Sequence, residues 1–242
     1  MLEIRRIRMP KLYDLGWEKP VTLVERYLRL EVDERVDAHG RVVKPLDPAE
    51  VERVLDRLLA EKIEALAVCL LNSYANPVHE ERIAEIVRSR APGLTLSVSA
   101  EVLPEIREYE RTSTTVINAY VMPIVRRYLG TLRSGLDNSG VKAPLMIMQS
   151  NGGLMTDPAA AVRPVHIIES GPAAGVVGAQ ALARKIGLGK LVTFDMGGTT
   201  AKASIVEDGE VSRATEYQVG AGIMHGSRLL TGAGYLLRVP AI

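Results

Sequence analysis

The chain has 242 residues, 47% of them apolar, with 30 basic against 29 acidic side chains and a formal net charge of +1. That length allows one large domain or two small ones around a sizeable core, and the near-neutral balance, with basic residues spread along helical stretches, argues against a nucleic-acid or anionic-membrane partner. Aromatic residues make up 4%, so the core must be built from Ala, Val, Leu and Ile, as in α/β proteins with buried parallel strands. No apolar stretch approaches the roughly 20 residues that span a bilayer, and the charged N-terminus is not followed by the apolar run of a secretory signal. Cys69, the single cysteine, lies within the apolar run Ala65–Leu71. It reads as a small buried hydrophobe, and one thiol without an internal partner is compatible with a reducing, cytoplasmic setting.

Residues 1–47 read as extended and looped, with a turn at Asp37-Ala38-His39-Gly40. Pro48 to Lys62 has helical periodicity with Val51, Val54, Leu55, Leu58 and Leu59 on one face, and Pro48 and Glu50 suit its first turn. Ala65–Leu71 is a buried strand. Asn76-Pro77 opens a second helix with Val78, Ile83, Ile86 and Val87 inward, Ala91-Pro92-Gly93 stops it, and Leu94–Val98 is the next strand. This alternation with short links is the α/β pattern. From Arg107 to about Gly135 a long helix is predicted, with Tyr109, Val116, Ala119, Tyr120 and Ile124 on one face and a kink at Pro123. Asp137-Asn138-Ser139-Gly140 reads as a loop, Leu145–Met148 as a short strand, and Gln149-Ser150-Asn151-Gly152-Gly153 as a polar turn that could line a cleft. A small-residue helix over Gly171–Ile186 follows, then strands at Leu191–Phe194 and Lys202–Val206, a turn at Glu207-Asp208-Gly209-Glu210, and a returning partner within Val211–Tyr217. A boundary falls near residues 103–110, dividing 1–106 from 107–242.

The segment Thr193 to Glu210 carries the chemistry. A buried strand ends in Asp195, and Gly197, Gly198, Thr199 and Thr200 precede a second strand. Glycines let the backbone approach a ligand closely, successive amides form an anion-binding nest, and Thr hydroxyls add donors. An acid at the strand end suits Mg²⁺ held through water. The pattern is strand–turn–strand, and the Gly-x-x-x-x-Gly-Lys-Ser/Thr loop is absent. The plain alternative is an ordinary hairpin with a Gly-rich turn. Lys202 leaves two readings open, contact with phosphate or projection into solvent. Arg107, Glu108, Glu110 and Arg111 read as a solvated or inter-domain charge network. His39, His79, His166 and His225 lack metal-ligand spacing, with His225 the one worth testing. Gly220-Ala221-Gly222 and Gly232-Ala233-Gly234 lack the spacing of a dinucleotide site.

The Asp195 hairpin resembles the phosphate hairpins of the sugar kinase, heat-shock chaperone and actin superfamily, which grip nucleotide phosphates with one hairpin per lobe. Glu169-Ser170-Gly171-Pro172-Ala173-Ala174-Gly175 is similar to the helix before the chaperone branch's second hairpin, where small residues allow close helix crossing. More narrowly, the chain resembles the hydantoinase A / 5-oxoprolinase family along essentially its whole length. The carrying motifs, in order, are Glu34-Arg35-Val36-Asp37-Ala38 with Pro45-Leu46-Asp47; Leu70-Leu71-Asn72-Ser73-Tyr74 with Asn76-Pro77 and His79-Glu80; Pro104 to Arg111; Asn118-Ala119-Tyr120; Gln149 to Gly153; Ser170 to Gly175; and the Asp195 hairpin.

The resemblance implies an α/β fold of the actin-like ATPase type, present incompletely. It implies ATP and Mg²⁺ as cofactors, with Asp195 positioning Mg²⁺ or the attacking group and with Gly197, Gly198, Thr199, Thr200 and Lys202 on the phosphates. The implied reaction is ATP-dependent opening of a small cyclic amide (5-oxoproline, hydantoin or N-methylhydantoin) by carbonyl phosphorylation. A hydantoinase B-type subunit is the implied partner, and homo-oligomerisation is left open. Acetone carboxylase-type activation of a ketone is an alternative, and a non-catalytic remnant or partner-binding domain is another. The sequence departs from the family in three places: the first phosphate hairpin is missing, the chain ends at Val239-Pro240-Ala241-Ile242 where the family continues, and Ala201-Lys202 stands where many members carry Thr-Asp.

Overall fold

The structure, a computed structural model, describes residues 1–6, 15–16, 21–198, 201–219 and 234–242. The chain forms two compact units, Met1–Pro123 with Gln218–Arg238, and Ile124–Tyr217 with Val239–Ile242.

In the first unit, β1 (Arg35–Val36) and β2 (Val42–Lys44) form an antiparallel pair. They are joined by the expected turn, in which Asp37 accepts from the amides of His39 and Arg41 through its carboxylate, both at 2.9 Å. Helix α1 (Pro48–Ala60) begins where Asp47 accepts from the Ala49 amide at 3.0 Å, with Pro48 at its first position. Strands β3 (Ala65–Val68) and β4 (Thr95–Val98) are parallel neighbours, in register from Ala65 opposite Thr95 to Val68 opposite Val98, and α2 (Val78–Arg90) is the crossover between them. Val51 and Leu55 of α1, Val68 of β3, and Ile83, Ile86 and Val87 of α2 make the core, each side chain contributing roughly 1.5–3 kcal/mol by burial. Val78, expected to point inward, is exposed at the first residue of α2, where the chain has only just turned toward the core.

A short helix α3 (Ser99–Val102) follows β4, and the long helix α4 spans Glu108–Asn138. It runs to Asn138, so two of the residues expected in the loop that begins at Asp137 are helical. Pro123 lies inside it without ending it, and the division between the units falls directly after that residue. Val116, Ala119 and Met122 are buried, whereas Tyr120 and Ile124 are exposed, contrary to the expected face. Tyr120 lies one helical turn beyond Val116 and Ile124 two turns beyond it, so the helical period alone does not set them apart from the buried stripe.

In the second unit, β5 (Met146–Met148) and β6 (Leu154–Thr156) form a hairpin around the Gln149–Gly153 turn. Helix α5 (Asp157–Val162) follows, tied to α4 by an Arg133–Asp157 ion pair at 2.8 Å. After a single 3₁₀ turn comes α6 (Ser170–Lys185), then the antiparallel sheet β7 (Leu191–Met196), β8 (Ala201–Glu207) and β9 (Glu210–Val211). Val176 of α6, Val206 and Val211 are its buried cluster, with Leu191 and Ile242 against them. The expected return strand is confined to Glu210–Val211, since Ala214 bridges to Ala241 instead. The last two strands, β10 (Tyr217–Val219) and β11 (Tyr235–Leu237), pair with each other and, apart from Tyr217, belong to the first unit.

Candidate functional site

Strand β7 runs two residues beyond the predicted Phe194, so Asp195 and Met196 are still paired in the ladder. The register places Leu191 opposite Val206, Thr193 opposite Ser204 and Asp195 opposite Lys202. Side chains alternate across a strand, so these six share one side of the ribbon. Leu191 and Val206 belong to the cluster packed on Val176 of α6, which identifies that side as the α6 side. Asp195 is exposed and, among the described residues, makes no ion pair. Lys202 is half-buried, and its ammonium pairs with the carboxylate of Glu169, the residue that precedes α6. The pair with Glu169 is neither of the two readings given for Lys202, contact with phosphate or projection into solvent. Burial lowers the pKa of Lys202, while the facing Glu169 carboxylate favours its charged form.

Glu169 is itself held. Its amide donates to Ser150 Oγ at 3.1 Å, and Ser150 Oγ donates to the His166 carbonyl at 2.9 Å. Ser150 is fully buried, its amide also reaches the His166 carbonyl at 2.7 Å, and its carbonyl accepts from Ile242 at 2.9 Å. Three sequence motifs thus converge within the second unit: the Gln149–Gly153 turn, the start of α6 and the Asp195–Lys202 hairpin. Sequence reasoning named Glu169 only as the opening of the small-residue helix and gave it no part in the site. The signal was the unusual cation at 202, which in a partly buried strand needs an acidic partner.

Gly197 and Gly198 are exposed beyond β7, and a Cβ added at either would meet nothing within 4 Å; neither has a positive φ. Neither a left-handed backbone nor a close contact among the described residues therefore requires glycine at these positions. A ligand brought against the backbone would. The glycines of α6, Gly171, Gly175 and Gly178, are likewise open, so the close helix crossing expected of them is not made among the described residues. Thr199, Thr200 and His225 lie outside the described residues.

The remaining candidates resolve into structural roles in the first unit. Arg111 is buried instead of solvated, donating to the Leu70 carbonyl at 2.7 Å and the Glu105 carbonyl at 2.8 Å, with its guanidinium over the Tyr74 ring. Glu110 is buried beside Arg6. Glu80, fully buried, accepts from the Leu70 amide (2.7 Å), Ser99 Oγ (2.7 Å) and the Ala100 amide (2.8 Å). Cys69 is half-buried by surface area, and its thiol is pushed up to about 12, mainly by burial and secondarily by Glu80, which disfavours the reactive thiolate at neutral pH. His79 pairs with Glu34 at 2.6 Å in a nearly buried contact. No group of three His, Cys, Asp or Glu able to hold a metal occurs among the described residues, and no helix there is long and apolar enough to cross a membrane.

Comparison with known proteins places this geometry. Residues 1–91 match the hydantoinase/oxoprolinase N-terminal region and residues 111–242 match the hydantoinase/oxoprolinase domain. An uncharacterized protein of Methanocaldococcus jannaschii is 42% identical over 242 residues, covering 100% of this chain and 35% of the relative. The crystal structure of an ATP-dependent caprolactamase from Pseudomonas jessenii matches with a TM-score of 0.79 at 31% identity, covering 100% of this chain and 33% of that one. Nucleotide-free acetone carboxylase matches with a TM-score of 0.78 at 27% identity, covering 92% of this chain and 30% of that one. The chain therefore spans about a third of the length of these relatives. The small sheets with flanking helices have the architecture of the actin, heat-shock chaperone and sugar kinase superfamily, as expected from the hairpin. With both its halves matched and its whole length aligned, the chain belongs to the hydantoinase/oxoprolinase family.

Proposed function

We propose that this chain contributes a phosphate-binding hairpin to an ATP-dependent enzyme that activates the carbonyl of a small cyclic amide for ring opening. The observation that carries the reading is the exposed Gly197-Gly198 pair beside Asp195, where glycine is not required by the fold and the one nearby carboxylate has no ion-pair partner among the described residues. These residues fit a nucleotide: backbone amides after Asp195 would meet phosphate oxygens, with the Thr199 and Thr200 hydroxyls adding donors. Asp195 suits Mg²⁺, which usually takes one or two carboxylates and completes its shell with phosphate and water. ATP, when bound, supplies the phosphoryl group that makes the amide carbon electrophilic toward water. The part of the chain's own residues is positioning and charge neutralisation. Lys202, tethered by Glu169, holds β8 and the hairpin to the start of α6, and its cation lies on the same side of the ribbon as Asp195.

A second subunit of the hydantoinase B type is the proposed partner for hydrolysis. The likeness to acetone carboxylase favours a second reading, in which the activated carbonyl is that of a ketone. Calorimetry of the 242-residue chain with Mg²⁺-ATP tests the shared step. Stoichiometric binding that is lost in Asp195→Ala is expected. Absence of binding by the chain, or unchanged binding by the variant, would sink the assignment and leave a folded, non-catalytic domain.

A further inference from the structure

The two sides of the β7–β8 ribbon differ sharply. One packs on α6, but on the other Val192, Phe194 and Met196 are 69%, 67% and 70% exposed, and Ile205 is 58% exposed. The register sets Val192 opposite Ile205, Phe194 opposite Ala203 and Met196 opposite Ala201, so all six residues of this side are apolar. An antiparallel sheet whose second face meets water alternates apolar with polar residues. Over the three ladder positions from Val192/Ile205 to Met196/Ala201 this face carries no polar residue, and the Glu207–Glu210 pair bounds it at one end; a contiguous apolar patch of this kind marks a contact surface.

We infer that this face seats a helical layer supplied by hydantoinase/oxoprolinase-family polypeptide lying outside the 242 residues. The lengths identify the occupant. The caprolactamase aligns with 100% of this chain, which accounts for only 33% of the caprolactamase, so most of a family polypeptide is available to cover it. The architecture supports the same choice, because a sheet in an α/β fold is stable with helices on both faces and among the described residues this sheet has α6 on one face and no helix on the other. The proposal rests on family membership and not on the nucleotide reading, so either can fail without the other.

Site-specific labelling tests it. Phe194→Cys introduces a thiol on the face, and the half-buried Cys69 is followed separately on its own peptide. The labelling rate is compared between the 242-residue chain and the same chain grafted in place of its aligned third of the caprolactamase subunit, read by mass spectrometry of the labelled peptide. Labelling about tenfold or more slower in the graft is expected. Phe194→Glu should leave the melting temperature of the 242-residue chain unchanged or raised and render the graft insoluble. Equal labelling in both contexts overturns the proposal, as does a graft that fails to fold where the parent subunit folds. A 242-residue chain that sediments as a dimer with the introduced thiol protected, and dissociates on Phe194→Glu, assigns the face to a second copy and overturns it as well.

Discussion

Lys202 and Glu169 form an ion pair that ties β8 to the residue preceding α6, 33 residues away in sequence. Their side chains remain 36% and 32% exposed, so solvent screens the attraction and the stabilisation should be modest. A double-mutant cycle with Glu169→Gln and Lys202→Met should give a coupling of at most about 1 kcal/mol in urea denaturation. A coupling several times larger would mean that the pair is far more desolvated than its exposure indicates.

Glu80 should behave in the opposite way. It is fully buried and accepts three hydrogen bonds, from two backbone amides and one hydroxyl. Glu80→Ala strands all three donors, and a loss of roughly 3–5 kcal/mol is expected in equilibrium unfolding. A loss under about 1 kcal/mol would show that water replaces the carboxylate, which the burial argues against.

Cys69 gives a pH signature. Burial raises its thiol to about 12 from a usual 9.0. A raised folded pKa means that the thiol's contribution to stability is fully present below the unfolded value and is lost as pH rises from about 9 toward about 12. Disulfide-exchange reagents at pH 8 should leave the native chain unmodified and react fully in denaturant. Fast native-state reaction would place the sulfur at the surface.

Two glycines with similar backbones separate strain from crowding. Gly152 (φ +84°) and Gly140 (φ +79°) both occupy the left-handed region, but a Cβ on Gly152 would fall 2.8 Å from Ile242 Cδ1 and 2.9 Å from Val177 Cγ2, whereas one on Gly140 meets nothing. Gly140→Ala should cost about 1 kcal/mol, the backbone preference alone. Gly152→Ala should cost about 2–4 kcal/mol by adding the packing conflict. Equal melting temperatures for the two variants would contradict the difference.

Much of this architecture was legible because local rules and tertiary packing agree. The Asp47 cap, the apolar stripe Val51-Leu55-Leu58 and the Gly40 and Gly209 turns all appear where periodicity and turn chemistry put them. The family assignment rested on motifs that span the chain, and the matches over residues 1–91 and 111–242 bear it out. Tyr120 and Ile124 were misread because an aromatic or aliphatic side chain does not announce which of two adjacent helical stripes is buried. Arg111 was misread because a charge run looks solvated in sequence, whereas backbone carbonyls at Leu70 and Glu105 and the Tyr74 ring supply its partners from other segments. The Glu169–Lys202 contact was illegible for the same reason: nothing local links a helix cap to a strand 33 residues on.

The alternation along β7 has an evolutionary corollary. Thr193 and Asp195 serve one side of the ribbon and Val192, Phe194 and Met196 the other, and the two sets interleave one residue at a time. Loss or gain of a single codon within the strand would exchange them, aiming Asp195 at the apolar face and Phe194 at the start of α6. Length changes should therefore be tolerated in the Asp208-Gly209 turn and forbidden between Leu191 and Met196, so that across descendants of this gene the strand drifts by substitution only.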